Sequence, residues 1–169
     1  MTGRPAASEY APYFGRYIDL VPGDDLLGAL RLGAGTAALL RSADPEAAAY
    51  AYAPGKWTLA QSLQHVIDTE RIFGARALRI ARGDTTPLPG FDQDAFAEDT
   101  PNRSLADLAD EFEAVRASTL ALFASLGPEA AARMGTSSGG PLSARAAGWI
   151  IAGHEWHHDV VTRERYLAR

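Results

Sequence analysis

Cysteine is absent from the 169 residues, which removes disulfides, thiolate nucleophiles and Cys-ligated metals from consideration. Apolar runs are short as well. Nothing approaches the ~20 residues a membrane span needs, so no membrane partner is expected. MTGRPAASEYAPYF, at the start, has no apolar stretch after its Arg; it does not read as a secretory signal, and the cytoplasm is the expected compartment. A basic surplus is missing too. The formal charge is -5, with 16 Lys and Arg against 21 Asp and Glu, which argues against gripping phosphate backbones and so against a nucleic-acid partner. What is present is 47% hydrophobic and 22% charged residues, the balance of a soluble globular chain. The length suits one domain spanning 1–169.

Strand signals are nearly lacking, whereas helical periodicity is plain. Segments 24–42, 58–83, 104–126 and 143–166 each place apolar residues three and four apart. Asp24, Thr58, Ser104 and Ser143 stand where N-caps belong. Gly83, Gly127 and the Ser137-Ser138-Gly139-Gly140-Pro141 run supply stops and turns. Residues 1–20 form an extension or a short helix around Tyr10 to Leu20. The 84–103 crossover is the one long connection, so the helices it joins need not be neighbours. The expected fold class is all-α, a four-helix bundle with one long crossover and a short N-terminal helix.

All four histidines fall in two helices: His65 in the second, His154, His157 and His158 in the last. HEWHH, 154–158, matches the HExxH spelling of zinc proteases. That reading requires a third downstream ligand, but DVVTRERYLAR follows, with no further histidine and no Gly-containing turn. On a helical wheel His154 and His158 lie ~40° apart, one turn distant, and can reach one ion. Ala147, Ile150, Ile151 and Val161 share their side, so the pair looks inward. Buried imidazoles need partners, a metal or ordinary helix carbonyls and carboxylates. Catalytic zinc sites commonly use three protein ligands, and His65 is the histidine left to supply the third. Against it, His65 points ~160° from Leu63 in the densest apolar stripe of its helix. Either that helix has a second buried face or His65 is exposed. Glu70 falls on the stripe, as a rival ligand or a buried acid with a structural partner. Asp68 and Glu70 are the candidate catalytic carboxylates, as base or as partner to a ligand; their alternatives are an exposed acid and an intrahelical ion pair. Arg71, Arg76, Arg79 and Arg82 form a basic ridge, suited to an anionic substrate or to pairing with Asp92, Asp94, Glu98 and Asp99. Phe91 and Phe96 are candidates for covering a pocket mouth or for plain packing.

Residues 56–96 (KWTLAQSLQHVIDTERIFGARALRIARGDTTPLPGFDQDAF) and 141–167 (PLSARAAGWIIAGHEWHHDVVTRERYL) together resemble the DinB-like superfamily, including its YfiT-type metal-dependent hydrolases. The marks are Trp-Thr before a His-bearing helix and a closing helix with His-x-x-x-His. The resemblance implies an up-down-down-up four-helix bundle, often a homodimer, with a divalent metal, Zn or Ni, on His65, His154 and His158. It gives His157 no ligand role. It further implies action on a small-molecule substrate, by hydrolysis or by S-transfer with a low-molecular-weight thiol as cosubstrate. The competing expectation is a stress-associated, non-catalytic bundle whose metal, if any, is structural.

Overall fold

The computed structural model describes residues 3–33 and 35–168. Its helices are α1 (Gly15–Ile18), α2 (Leu26–Leu32), α3 (Gly35–Ser42), α4 (Leu59–Ala81), α5 (Gln93–Glu98), α6 (Leu105–Ala124), α7 (Pro128–Ala132) and α8 (Ala144–Val161). A two-stranded antiparallel hairpin, β1 (Met134–Ser137) and β2 (Gly140–Ser143), precedes α8, and a π-helical turn, Thr162–Leu167, follows it.

Capping chemistry sets the long helices where the sequence marks them. Thr58 accepts from Gln61 N, and the Gln61 side chain returns a bond to Thr58 N, a complete capping box. Ser104 and Ser143 accept from Asp107 N and Ala146 N. The first helix differs from expectation. Its N-cap is Asp25, not Asp24, and that side chain makes no cap bond. It is also two helices, because the chain turns at Gly33. A Cβ at Gly33 would overlap the Glu155 carboxylate and the Arg116 guanidinium, so only glycine admits this approach.

Four rods result, α2–α3, α4, α6 and α8, and side-chain pairs give their directions. Gln64 and Glu70 of α4 meet Glu111 and Arg116 of α6, so these two run parallel. Ser62 and His65 meet His158 and His154, so α4 and α8 are antiparallel. Arg41 meets Glu113, and Leu30 meets Arg116, so the first rod opposes α6. The topology is therefore up-down-down-up. Joining parallel α4 and α6 requires a chain that travels the bundle's length, which is what the crossover does. Along it, Leu88 exchanges backbone bonds with Thr136 and Ser138 of the hairpin, and Asp92 caps α5. The hairpin itself was not foreseen: four-residue strands rich in Gly, Ser and Thr carry almost no alternation. Its turn, Ser138 and Gly139, takes the positive φ values (52° and 79°) of a tight two-residue connection.

The core is in two parts. One gathers Ile18, Leu30, Phe73, Trp149 and Ile150; the other gathers Leu40, Leu59, Leu108, Phe112 and Tyr166. Where α4, α6 and α8 pass between them they carry buried polar residues instead: His65, Thr69 and Glu70, then Arg116, then His154 and Glu155.

Candidate metal centre

His65, His154 and His158 converge in this polar layer. One nitrogen from each lies within 4.8 Å of the other two. His65 Nε2 and His154 Nε2 are 3.1 Å apart, and the ring centroids of His154 and His158 are 4.5 Å apart. α4 contacts both α6 and α8, so it has two buried faces, and His65 occupies the second, at 8% exposure. That settles the wheel's ambiguity in favour of burial.

Neighbours aim each ring. The His158 Nδ1 is 3.3 Å from Ser62 Oγ; donation to that hydroxyl leaves the Nε2 lone pair for an ion. Trp57 packs on His65 with centroids 4.9 Å apart, which is what the residue preceding the Thr58 cap does here. Tyr17 meets the edge of His154 at 5.2 Å. It can do so because α1 crosses α8 at Gly153, where a Cβ would overlap the Tyr17 backbone. Burial drives the imidazoles toward their neutral, ligating form. It lowers His65 to about 4, against the opposing charge of Asp94, and His158 to about 3. For His154, burial and then the neighbouring histidines push the pKa well below its ordinary value.

The donor set suits a divalent ion. Two nitrogens at ~2.0–2.1 Å from a tetrahedral zinc sit ~3.3 Å apart, close to the 3.1 Å found between His65 and His154. No fourth His, Cys or acid joins the group among the described residues.

The carboxylates offered by the sequence are not brought to the histidines. Glu70 takes a two-pronged bond from Arg116, Nε to Oε1 at 2.9 Å and Nη2 to Oε2 at 2.8 Å. It lies ~140° around α4 from His65. Asp68 accepts from Gln64 Nε2 at 3.0 Å and faces Arg71. Each lines a different hollow, about 680 Å³ beside Asp68 and about 500 Å³ beside Glu70, with no histidine in its wall. Glu155, the acid of HEWHH, is buried. Thr36 Oγ1 donates to it at 2.7 Å, and Arg116 Nη2 lies 2.6 Å away. Burial raises its pKa, with Arg116 and Thr36 opposing. Arg116 also donates to Leu30 O at 2.7 Å, a carbonyl in the last turn of α2.

The acid beside the trio is Asp94, on α5. It shares a cavity of about 290 Å³ with His158, His157, Ser62, Trp57 and Lys56. The sequence offered it only as an Arg partner, and no spacing rule links a crossover residue to a distant helix. A second cavity, about 280 Å³, has His65 and His154 in its wall with Tyr17, Thr69, Arg76 and Phe91. The basic ridge is dispersed: Arg71 pairs with Glu111 and Asp68, Arg79 with Asp84, and neither with the acids of 92–99. Phe91 reaches the cavity, whereas Phe96 is half exposed against it at 5.4 Å.

The family model for the DinB superfamily matches residues 31–160. The chain belongs to the DinB superfamily. Among solved structures, this DinB-superfamily chain is similar to YfiT from Bacillus subtilis, a probable metal-dependent hydrolase with an unusual four-helix bundle topology. The TM-score is 0.69 at 15% identity, over 96% of this chain and 93% of that one. It is also similar to the mycothiol-dependent maleylpyruvate isomerase, with a TM-score of 0.65 at 20% identity, over 80% of this chain and 58% of that one. Among curated proteins none matches. At these identities the likeness establishes the fold, and among the described residues no helix is long and apolar enough to cross a membrane.

Proposed function

We propose that this chain is a metal-dependent enzyme acting on a small molecule, with Zn²⁺ or Ni²⁺ held by His65, His154 and His158. The observation that carries the reading is the convergence of three imidazoles, two buried and one half-buried, with no fourth protein ligand among the described residues, since structural zinc sites are normally closed by four. When bound, a divalent ion in such a site supplies Lewis acidity, which acidifies a water or a thiol.

The chain's own residues do the rest. Burial keeps the three rings neutral, Ser62 orients His158, and Trp57 and Tyr17 shield His65 and His154 from solvent. Asp94 stands in the cavity wall as the group that takes a proton from the incoming nucleophile. The two cavities on either side of the trio favour a reaction of two molecules. A low-molecular-weight thiol in one and an electrophile in the other fits a chain that has no cysteine of its own. Hydrolysis is the second reading, favoured by similarity to YfiT over nearly the whole of both chains.

Metal analysis of the purified protein, then a conjugation assay with several small thiols and 1-chloro-2,4-dinitrobenzene, tests the proposal. The expectation is one divalent ion per chain and a thiol-dependent rate that His65→Ala abolishes. Ester hydrolysis without a thiol response would select the second reading. A protein that holds no metal and is not stabilised by added Zn²⁺ or Ni²⁺ refutes both.

A further inference from the structure

The cavity beside His65 and His154 contains a buried charge that no acid neutralises. Arg76 is 6% exposed. Its Nη2 donates to Pro89 O at 2.7 Å and reaches Ser138 Oγ at 3.4 Å, and its guanidinium carbon stands 4.7 Å from the centroid of Phe73. Among the described residues no carboxylate lies within ion-pair reach of it, and its bonds to Pro89 and Ser138 both run through Nη2. Other shielded arginines do not share this condition. Arg116 is paired with Glu70 and Glu155, Arg145 with Glu9, and Arg103 with Glu111. Bonding one carbonyl requires one donor, which a neutral side chain could supply. Shielding a guanidinium for that purpose with no acid beside it is costly unless a counter-charge arrives.

A second, independent observation sits in the same wall. Thr69 Oγ1 is buried and has no hydrogen-bond partner. Residues 65, 69 and 76 lie within ~40° of one another on α4, and the Cα atoms of His65 and Arg76 are ~16 Å apart along the axis. Helical side chains lean toward the N-terminus, so Arg76 extends back toward His65. The space between them is walled by Phe14, Phe73, Phe91 and Ile150. The cavity is thus an apolar slot with a cation at one end, imidazoles at the other and a free hydroxyl between.

We propose that this slot binds a small monocarboxylate with an apolar or aromatic body, its carboxylate on Arg76 and its other end at His65 and His154. A carboxylate, not a phosphate, fits because one guanidinium neutralises one negative charge and presents two donors in the plane a carboxylate needs. The aromatic walls give a polyanion nothing further. The assignment of the far end rests on the metal reading above; the Arg76 end does not.

Calorimetric titration of phenylacetate, phenylacetamide and inorganic phosphate into EDTA-stripped protein, with metal content measured before stripping, tests this. Stripping removes direct binding of the carboxylate to an ion. Phenylacetate is expected to bind at least ~10-fold more tightly than phenylacetamide, and Arg76→Met to weaken it by ~10- to 100-fold, the range for a lost charge-assisted bond. Arg76→Gln keeps a donor for Pro89 O and removes the charge, so it stands in if the Met variant fails to fold; it is expected to erase the preference for acid over amide. Equal binding of acid and amide by the unaltered protein overturns the proposal, as does phosphate binding more tightly than phenylacetate, or a preference that survives Arg76→Gln. Metal-binding protein without an acid preference refutes only this inference. Metal-free protein with an Arg76-dependent preference refutes only the metal reading.

Discussion

At the scale of single residues, the trio's titration is set by burial, and its consequence for stability has a definite sign. His65 and His158 fall to about 4 and about 3 in the folded protein, first through burial, whereas an unfolded histidine titrates near ~6.5. Below ~6.5 the unfolded chain takes up protons that the folded one refuses, so metal-free protein loses stability as pH falls. Above that pH both states are neutral and the contribution is flat. The urea-unfolding free energy of stripped protein should be level above about pH 7 and fall between about pH 6 and pH 4.5, approaching about 1 kcal/mol per pH unit for each such histidine; a free energy that stays level would contradict the shielding of these rings. His65→Ala should remove the acid sensitivity of that position along with the metal, read as loss of bound Zn²⁺ by elemental analysis. Little of this was legible in isolated residues. The inward pair His154 and His158 was, because an i, i+4 spacing on an apolar side has one geometric meaning. His65 was equivocal on the wheel, since a helix wedged between two neighbours has no single apolar stripe. Glu70 was legible as a buried acid with a structural partner, one of its two readings, but the identity of that partner and the pairing of Glu155 were not, because both acids are held by Arg116, a residue of another helix.

Two glycines decide how elements meet. Gly33 lets the first rod break against the Arg116 cluster, and Gly153 lets α1 lie on α8 beside His154. Gly33→Ala should therefore act as a lesion of the buried ion cluster, costing on the order of 3 kcal/mol or more, as broken buried pairs do. Chemical denaturation checks it; a loss of ~0.5 kcal/mol or less would show that the cluster is slack. Gly153→Ala should displace α1 and Tyr17, weakening Zn²⁺ binding measurably in a competitive chelator titration while the far-ultraviolet spectrum stays helical. Helix starts at Thr58, Ser104 and Ser143 were readable because an N-cap is local chemistry. The break at Gly33 was not, since glycine inside an apolar pattern costs only ~1 kcal/mol and its reason lies in Glu155, far along the chain. The hairpin escaped for a related reason: it is held by Leu88 of the crossover as much as by its own alternation.

Across the whole molecule, the polar layer separates two apolar cores and ties together the rods that meet in it. An ion held by His65, His154 and His158 would bind the folded state alone, so Zn²⁺ at about 100 times its dissociation constant should add ~2.7 kcal/mol. For a chain of this size that is a rise in Tm of roughly 5–11 °C, measurable by thermal melt and absent in His65→Ala. The up-down-down-up order was available to the sequence only through resemblance; the long crossover showed that two helices need not be neighbours, and the pairing of Arg116 with Glu70 shows that they are. His65 and His154 are separated by 89 residues, with the crossover, α6 and the hairpin in between. The ligand set therefore does not exist until nearly every element is in place. Ion uptake would serve as a clock for the last stage of assembly, and a metal held there would be a receipt for a finished bundle rather than a seed for one.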